Sequence, residues 1–179
     1  MSAYSHLMTH DGPEPVRERQ LPESRMPLGA NYQVPILWLT LFSAADFQHI
    51  SLPHSESEDG ESPELIPTLF AKTSDALRNY ARHKDAIRKA LADHTEQIDE
   101  WESFIAAHLT TEFVQIDFED FYGVLDDFDA ELSSWMDGLG RLEGSGWESL
   151  CEQACLHDRQ TARLGMRGFP LGLDNGWEE

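Results

Sequence analysis

The residues best suited to chemistry lie in Asp117 to Asp129 (DFEDFYGVLDDFD), where acids crowd around Gly123. A calcium loop needs oxygen ligands at fixed positions, a glycine at the sixth and a glutamate at the twelfth. Counted from Asp117, that register puts Phe121 and Tyr122 at the fifth and sixth positions and Phe128 at the twelfth. Calcium is therefore not expected. Cys151 and Cys155 fall on one face of a helix with His157 nearby, but zinc would need a further ligand from elsewhere or a water, so reduced core thiols are expected. The eight histidines form no H-E-x-x-H pair, and no G-x-S-x-G elbow occurs. Gly138-Leu139-Gly140 with Gly144 lacks the strand that precedes a phosphate-binding turn. Paired carboxylates for glycoside hydrolysis depend on a spatial separation that a list of acids does not give. No catalytic residue, metal or cofactor is assigned, and a non-enzymatic protein is expected.

What remains is charge. From Ala90 to Gly140 there are fourteen Asp or Glu residues and no Lys or Arg, within a chain whose 33 acids and 13 Lys and Arg give a net charge of -20. That exceeds what solubility asks of a small domain, and a field of one sign steers cationic molecules and repels nucleic acid and anionic lipid. Basic patches interleaved with aromatics, the footprint of nucleic-acid binding, are absent from the sequence. A basic protein partner is expected.

The element that presents the acids is predicted as one amphipathic helix from Glu119 to Asp137. Phe121, Val124, Leu125, Phe128, Leu132, Trp135 and Met136 share one apolar arc. Glu119, Asp120, Asp126, Asp127, Asp129, Glu131 and Asp137 occupy the remainder and are the candidate partner-binding residues. Asp127 and Glu131 form a like-charged pair one turn apart. Arg78, Arg82 and Lys89 share a helix flank and are the candidates for internal neutralisation. A second candidate surface is the acidic loop from His54 to Glu64, with Glu56, Glu58, Asp59 and Glu61.

At 179 residues the chain can bury one core and is expected to be one domain. Residues 1 to 28 carry four prolines and no hydrophobic period, which predicts a mobile, dispensable arm before a single acidic α+β domain over 29–179. Met26 raises the hypothesis of an internal start. Tyr32 to Phe42 predicts a buried strand, Ser43 with Asp46 the start of a short helix to Ile50, and Glu64 to Lys72 a second strand paired with the first, its Pro67 marking an edge. Helices are predicted from Ser74 to Asp93, with Leu77, Tyr80, Ala81, Ile87 and Leu91 inward, and from Glu96 to His108, with Ile98, Trp101, Ile105 and Leu109 inward. A short strand is predicted over Phe113 to Phe118, a capped helix over Trp147 to Arg163, and a last strand over Leu164 to Leu173. The expected fold is a small, mostly antiparallel sheet packed by about four helices.

No run of eighteen apolar residues occurs and the first 25 residues lack a signal-peptide core, so a cytoplasmic protein is expected. The segments LGANYQVPILWLTLF and FVQIDFEDFYGVLDDFDAELSSW, within a small frame free of enzyme motifs, resemble bacterial immunity proteins that neutralise toxins of interbacterial competition. The resemblance covers roughly residues 29 to 173 and transfers no individual site. It implies a cytoplasmic inhibitor that covers the basic active-site cleft of a cognate toxin, such as a nuclease. A nucleic-acid mimic, whose carboxylates stand in for phosphates before a DNA- or RNA-binding protein, is the alternative.

Overall fold

Tyr4 to His10 forms a strand, β1, in the interior of a five-stranded antiparallel sheet. The computed structural model describes residues 4–17, 28–31, 34–51, 65–90, 92, 95–118 and 127–140. The other strands are β2 (Leu28–Asn31), β3 (Phe47–Ser51), β4 (Leu65–Lys72) and β5 (Phe113–Asp117), in the order β2-β1-β5-β4-β3. Among the described residues four α-helices accompany them: α1 (Ile36–Leu39), α2 (Thr73–Ala90), α3 (Thr95–His108) and α4 (Phe128–Gly140). This is the α+β fold expected, with a small antiparallel sheet and about four helices in one domain.

The mobile arm is corrected for residues 4–17. β1 pairs with β2 on one side and β5 on the other, with Leu7 opposite both Leu28 and Ile116. A strand covered on both faces loses the polar-apolar alternation that marks a half-buried one. Leu7 faces the helices with Val114, Ile116, Leu69 and Ala71. Met8 and His10 are buried on the opposite face, and Arg17 beyond the strand is buried too. β1 contains none of the four prolines, so none interrupts its ladders. The proposed boundary at residue 28 therefore falls within the sheet.

Val34 to Phe42 is not a strand. Pro35 stands at the entrance of α1, where its missing N–H is no loss. The chain then turns tightly: Trp38 N donates to Pro35 O, Leu41 N to Trp38 O and Phe42 N to Leu39 O, at 3.0 to 3.1 Å. Val34, Leu37, Trp38, Leu39, Leu41 and Phe42 are all buried. A continuous apolar run of this length fits a buried helix as well as a buried strand, because burial on every side erases either period.

Asp46 Oδ2 accepts bonds from Ser43 N and Ser43 Oγ, both 2.7 Å, which starts the predicted turn, but only one 3-10 turn (Ala44–Asp46) follows before β3. β4 appears where predicted, paired with β3 and β5 rather than with residues 34–42. It is interior, and Pro67 is tolerated because the ladder with β5 begins one residue later, at Thr68. α2 buries Tyr80 and Ile87 as predicted, together with Ala76, whereas Leu77 and Ala81 are exposed. α3 buries Ile98, Trp101, Ile105 and Leu109 as expected. The elements predicted over 147–163 and 164–173, like Cys151, Cys155 and His157, lie outside the described residues.

The helix predicted from Glu119 to Asp137 is not continuous. Asp127 is a turn residue whose Oδ1 accepts the Ala130 N–H at 3.1 Å, which makes it the N-cap of α4. Phe128, Leu132 and Met136 form the buried stripe, one helical turn apart. Residues 119–126 lie outside the described residues.

Candidate functional site

The structure assigns internal work to two of the acids that sequence reasoning offered to a partner. Asp127 caps α4. Asp129, in the first turn of α4, sits 2.7 Å from His49 Nε2 and ties α4 to β3. Glu131 lies in α4, and its side chain lies outside the described residues. Asp137 is exposed on α4. Glu119, Asp120, Asp126, Glu56, Glu58, Asp59 and Glu61 lie outside the described residues, so the structure brings none of them together with α4.

Internal neutralisation also differs from expectation. Arg78 pairs with Asp75 of its own helix. The pairs across helices come from Lys84 and Arg88, which follow Tyr80 at helical spacing along α2. Glu102 of α3 accepts from Tyr80 Oη at 3.0 Å, Lys84 Nζ at 3.0 Å, and Arg88 Nε and Nη2 at 3.2 and 2.8 Å. Arg88 Nη2 also reaches Asp99 at 2.6 Å. Burial alone would raise the Glu102 carboxyl, but the bonds from Arg88, Lys84 and Tyr80 outweigh it and hold the group below its ordinary 4.5. Burial, followed by the Glu102 bond, pushes the Tyr80 phenol well above its usual value.

A group whose native pKa is depressed stabilises the fold above its unfolded pKa and loses that contribution as pH falls through the native value. Glu102→Gln is therefore expected to melt a few degrees below the wild type at neutral pH. The gap should close in acid below about pH 4.5, the ordinary value of this group. Melting curves across that window check it, and a gap independent of pH would contradict the assignment.

Sequence reasoning missed the outer face of α3. Glu96, Asp99 and Glu100 recur at helical spacing opposite Ile98, Trp101 and Ile105, and all three are exposed. Beside them Phe104 stacks on Trp101 at 5.9 Å and on His108 at 4.5 Å. An open depression follows this face from Glu96 to His108. Carboxylates beside an aromatic ring suit a Lys or Arg side chain. The same apolar period that identified the core of α3 would have located this face by subtraction.

The sheet face away from the helices carries a second polar cluster. Arg17 Nε lies 3.3 Å from Asp117 Oδ2, with side chains only 2% and 1% exposed. The Gln115 amide grips the backbone of Val16 at both ends, accepting from its N–H at 2.9 Å and donating to its C=O at 2.8 Å. Gln115 Nε2 also donates to Thr68 Oγ1 at 3.1 Å. The cluster therefore fastens Val16 and Arg17 to this face of the sheet.

Among the described residues, no group of three or more His, Cys, Asp or Glu could hold a metal ion, and no helix is long and apolar enough to cross a membrane.

The chain matches no family model, no curated protein and no solved structure. Its function must be argued from its own residues.

Proposed function

We propose that this chain is a non-enzymatic acidic binding protein that neutralises a basic partner, and that it serves as a cytoplasmic immunity protein against a cognate bacterial toxin, such as a nuclease. The charge balance carries the proposal. If each of the 13 Lys and Arg residues paired with a different acid, twenty of the 33 acids would still be uncompensated. Such an excess costs stability through self-repulsion, and it accelerates capture of a cationic partner. The exposed carboxylates of Glu96, Asp99 and Glu100 supply part of the field on an ordered helix face. Asp99 shares its charge with Arg88, so Glu96 and Glu100 contribute more of it.

The test is specificity. The chain is to be co-expressed with the product of the neighbouring reading frame, and assayed separately against a panel of unrelated basic nucleases. Rescue from one toxin without inhibition of the panel is expected. Inhibition across the panel would indicate phosphate mimicry instead, and inhibition of none would contradict the proposal.

A further inference from the structure

We propose that the outer edge of β3 is a docking site for an extended Lys- or Arg-bearing segment of the basic partner, which adds to the sheet as a further strand; this rests on the acidic-binding reading above. Of the two edges, β2 is covered, since Leu28 and Ala30 are 6% and 1% exposed. β3 is open. Gln48, His49 and Ser51 are exposed, and no described residue pairs with the outer side of the strand.

An open edge is ordinarily protected by Lys, Pro or a bulge. Phe47 to Ser51 (FQHIS) contains no Lys, Arg or Pro, and its register with β4 runs unbroken. The one proline in the hairpin, Pro67, stands on the inner partner, opposite His49. It has no N–H to offer His49, which assigns the main-chain groups of Phe47, His49 and Ser51 to the outer edge. The strand is also held in place before any partner arrives. His49 is tied to Asp129 at 2.7 Å, its ring lies edge-on to Phe47 at 5.1 Å, and Phe47 packs on the core.

Charge selects the occupant. No Lys or Arg occurs anywhere from Met26 to Ala71, or from Ala90 to Gly140. α4 packs on the 3-10 turn that leads into β3, where Asp46 closes the turn and Asp129 reaches His49, so the charges ordered beside this strand are acidic. A second copy of the chain would present the same sign, so self-pairing is disfavoured and a cationic segment is favoured. Main-chain bonds would supply affinity, and alternate side chains would supply selectivity.

The test titrates the full chain with two labelled peptides of equal length and charge, one alternating Lys and Val, the other Lys and Pro. Only the first can form a strand. It is expected to bind about tenfold tighter or more, and to protect the amides of Phe47, His49 and Ser51 from hydrogen exchange. Ser51→Pro should reduce its affinity to that of the Lys-Pro peptide. Equal binding of both peptides without new amide protection would overturn the edge site and leave the acidic-binding reading standing. Failure of both to bind at low salt would overturn both.

Discussion

Removal of residues 1–17 is expected to abolish cooperative unfolding. The truncation deletes β1, which stands between β2 and β5, and so strips β2 of its only described strand partner and β5 of one of its two. It also removes Leu7 from the main core, along with Met8, His10 and Arg17 from the opposite face. Hydrogen-bonding groups along one side of β5 would be left facing water, and the apolar pair Leu7–Ile116 would be lost. Calorimetry of the truncated chain checks this. A sharp transition near the wild-type melting temperature would restore the dispensable arm that the prolines suggest.

Asp117→Asn is expected to cost about 3–5 kcal/mol, because it removes a counter-charge 3.3 Å from a buried guanidinium. Arg17→Met should cost a similar amount for the complementary reason. The double replacement Arg17→Met with Asp117→Leu should recover much of the loss, since a buried ion pair is held against a large desolvation penalty that an apolar pair does not carry. Urea unfolding of the three variants measures the coupling. Additive losses in the double variant would mean that the two side chains stabilise the protein independently, despite the 3.3 Å between them.

What could be read in advance follows from how each element is buried. α3 was legible because one face meets the core and the other meets water, so Ile98, Trp101, Ile105 and Leu109 stand out from their neighbours. β5 is legible from the alternation of FVQIDF, yet all five of its residues are buried, and nothing in FVQID says that Gln115 grips the backbone of a segment 99 residues away. Residues 34–42 failed for the same reason at larger scale: a run buried on every side carries no period. The site was harder still. Composition disclosed that a negative surface exists, but hydrogen-bond geometry decides that Asp127 is a cap and Asp129 a partner of His49. Lys84 and Arg88 find α3 because that helix packs against α2, a contact that no spacing within either segment encodes.

Stopped-flow association of the chain with its basic partner, followed as salt is raised through physiological ionic strength, tests the central claim most directly. Exposed charges act over a Debye length of about 8 Å under those conditions, and shorter at higher salt. Steering by the acidic surface predicts that the association rate falls steeply with salt while the dissociation rate changes much less. An association rate indifferent to salt would contradict the claim that the acidic surface recruits the partner.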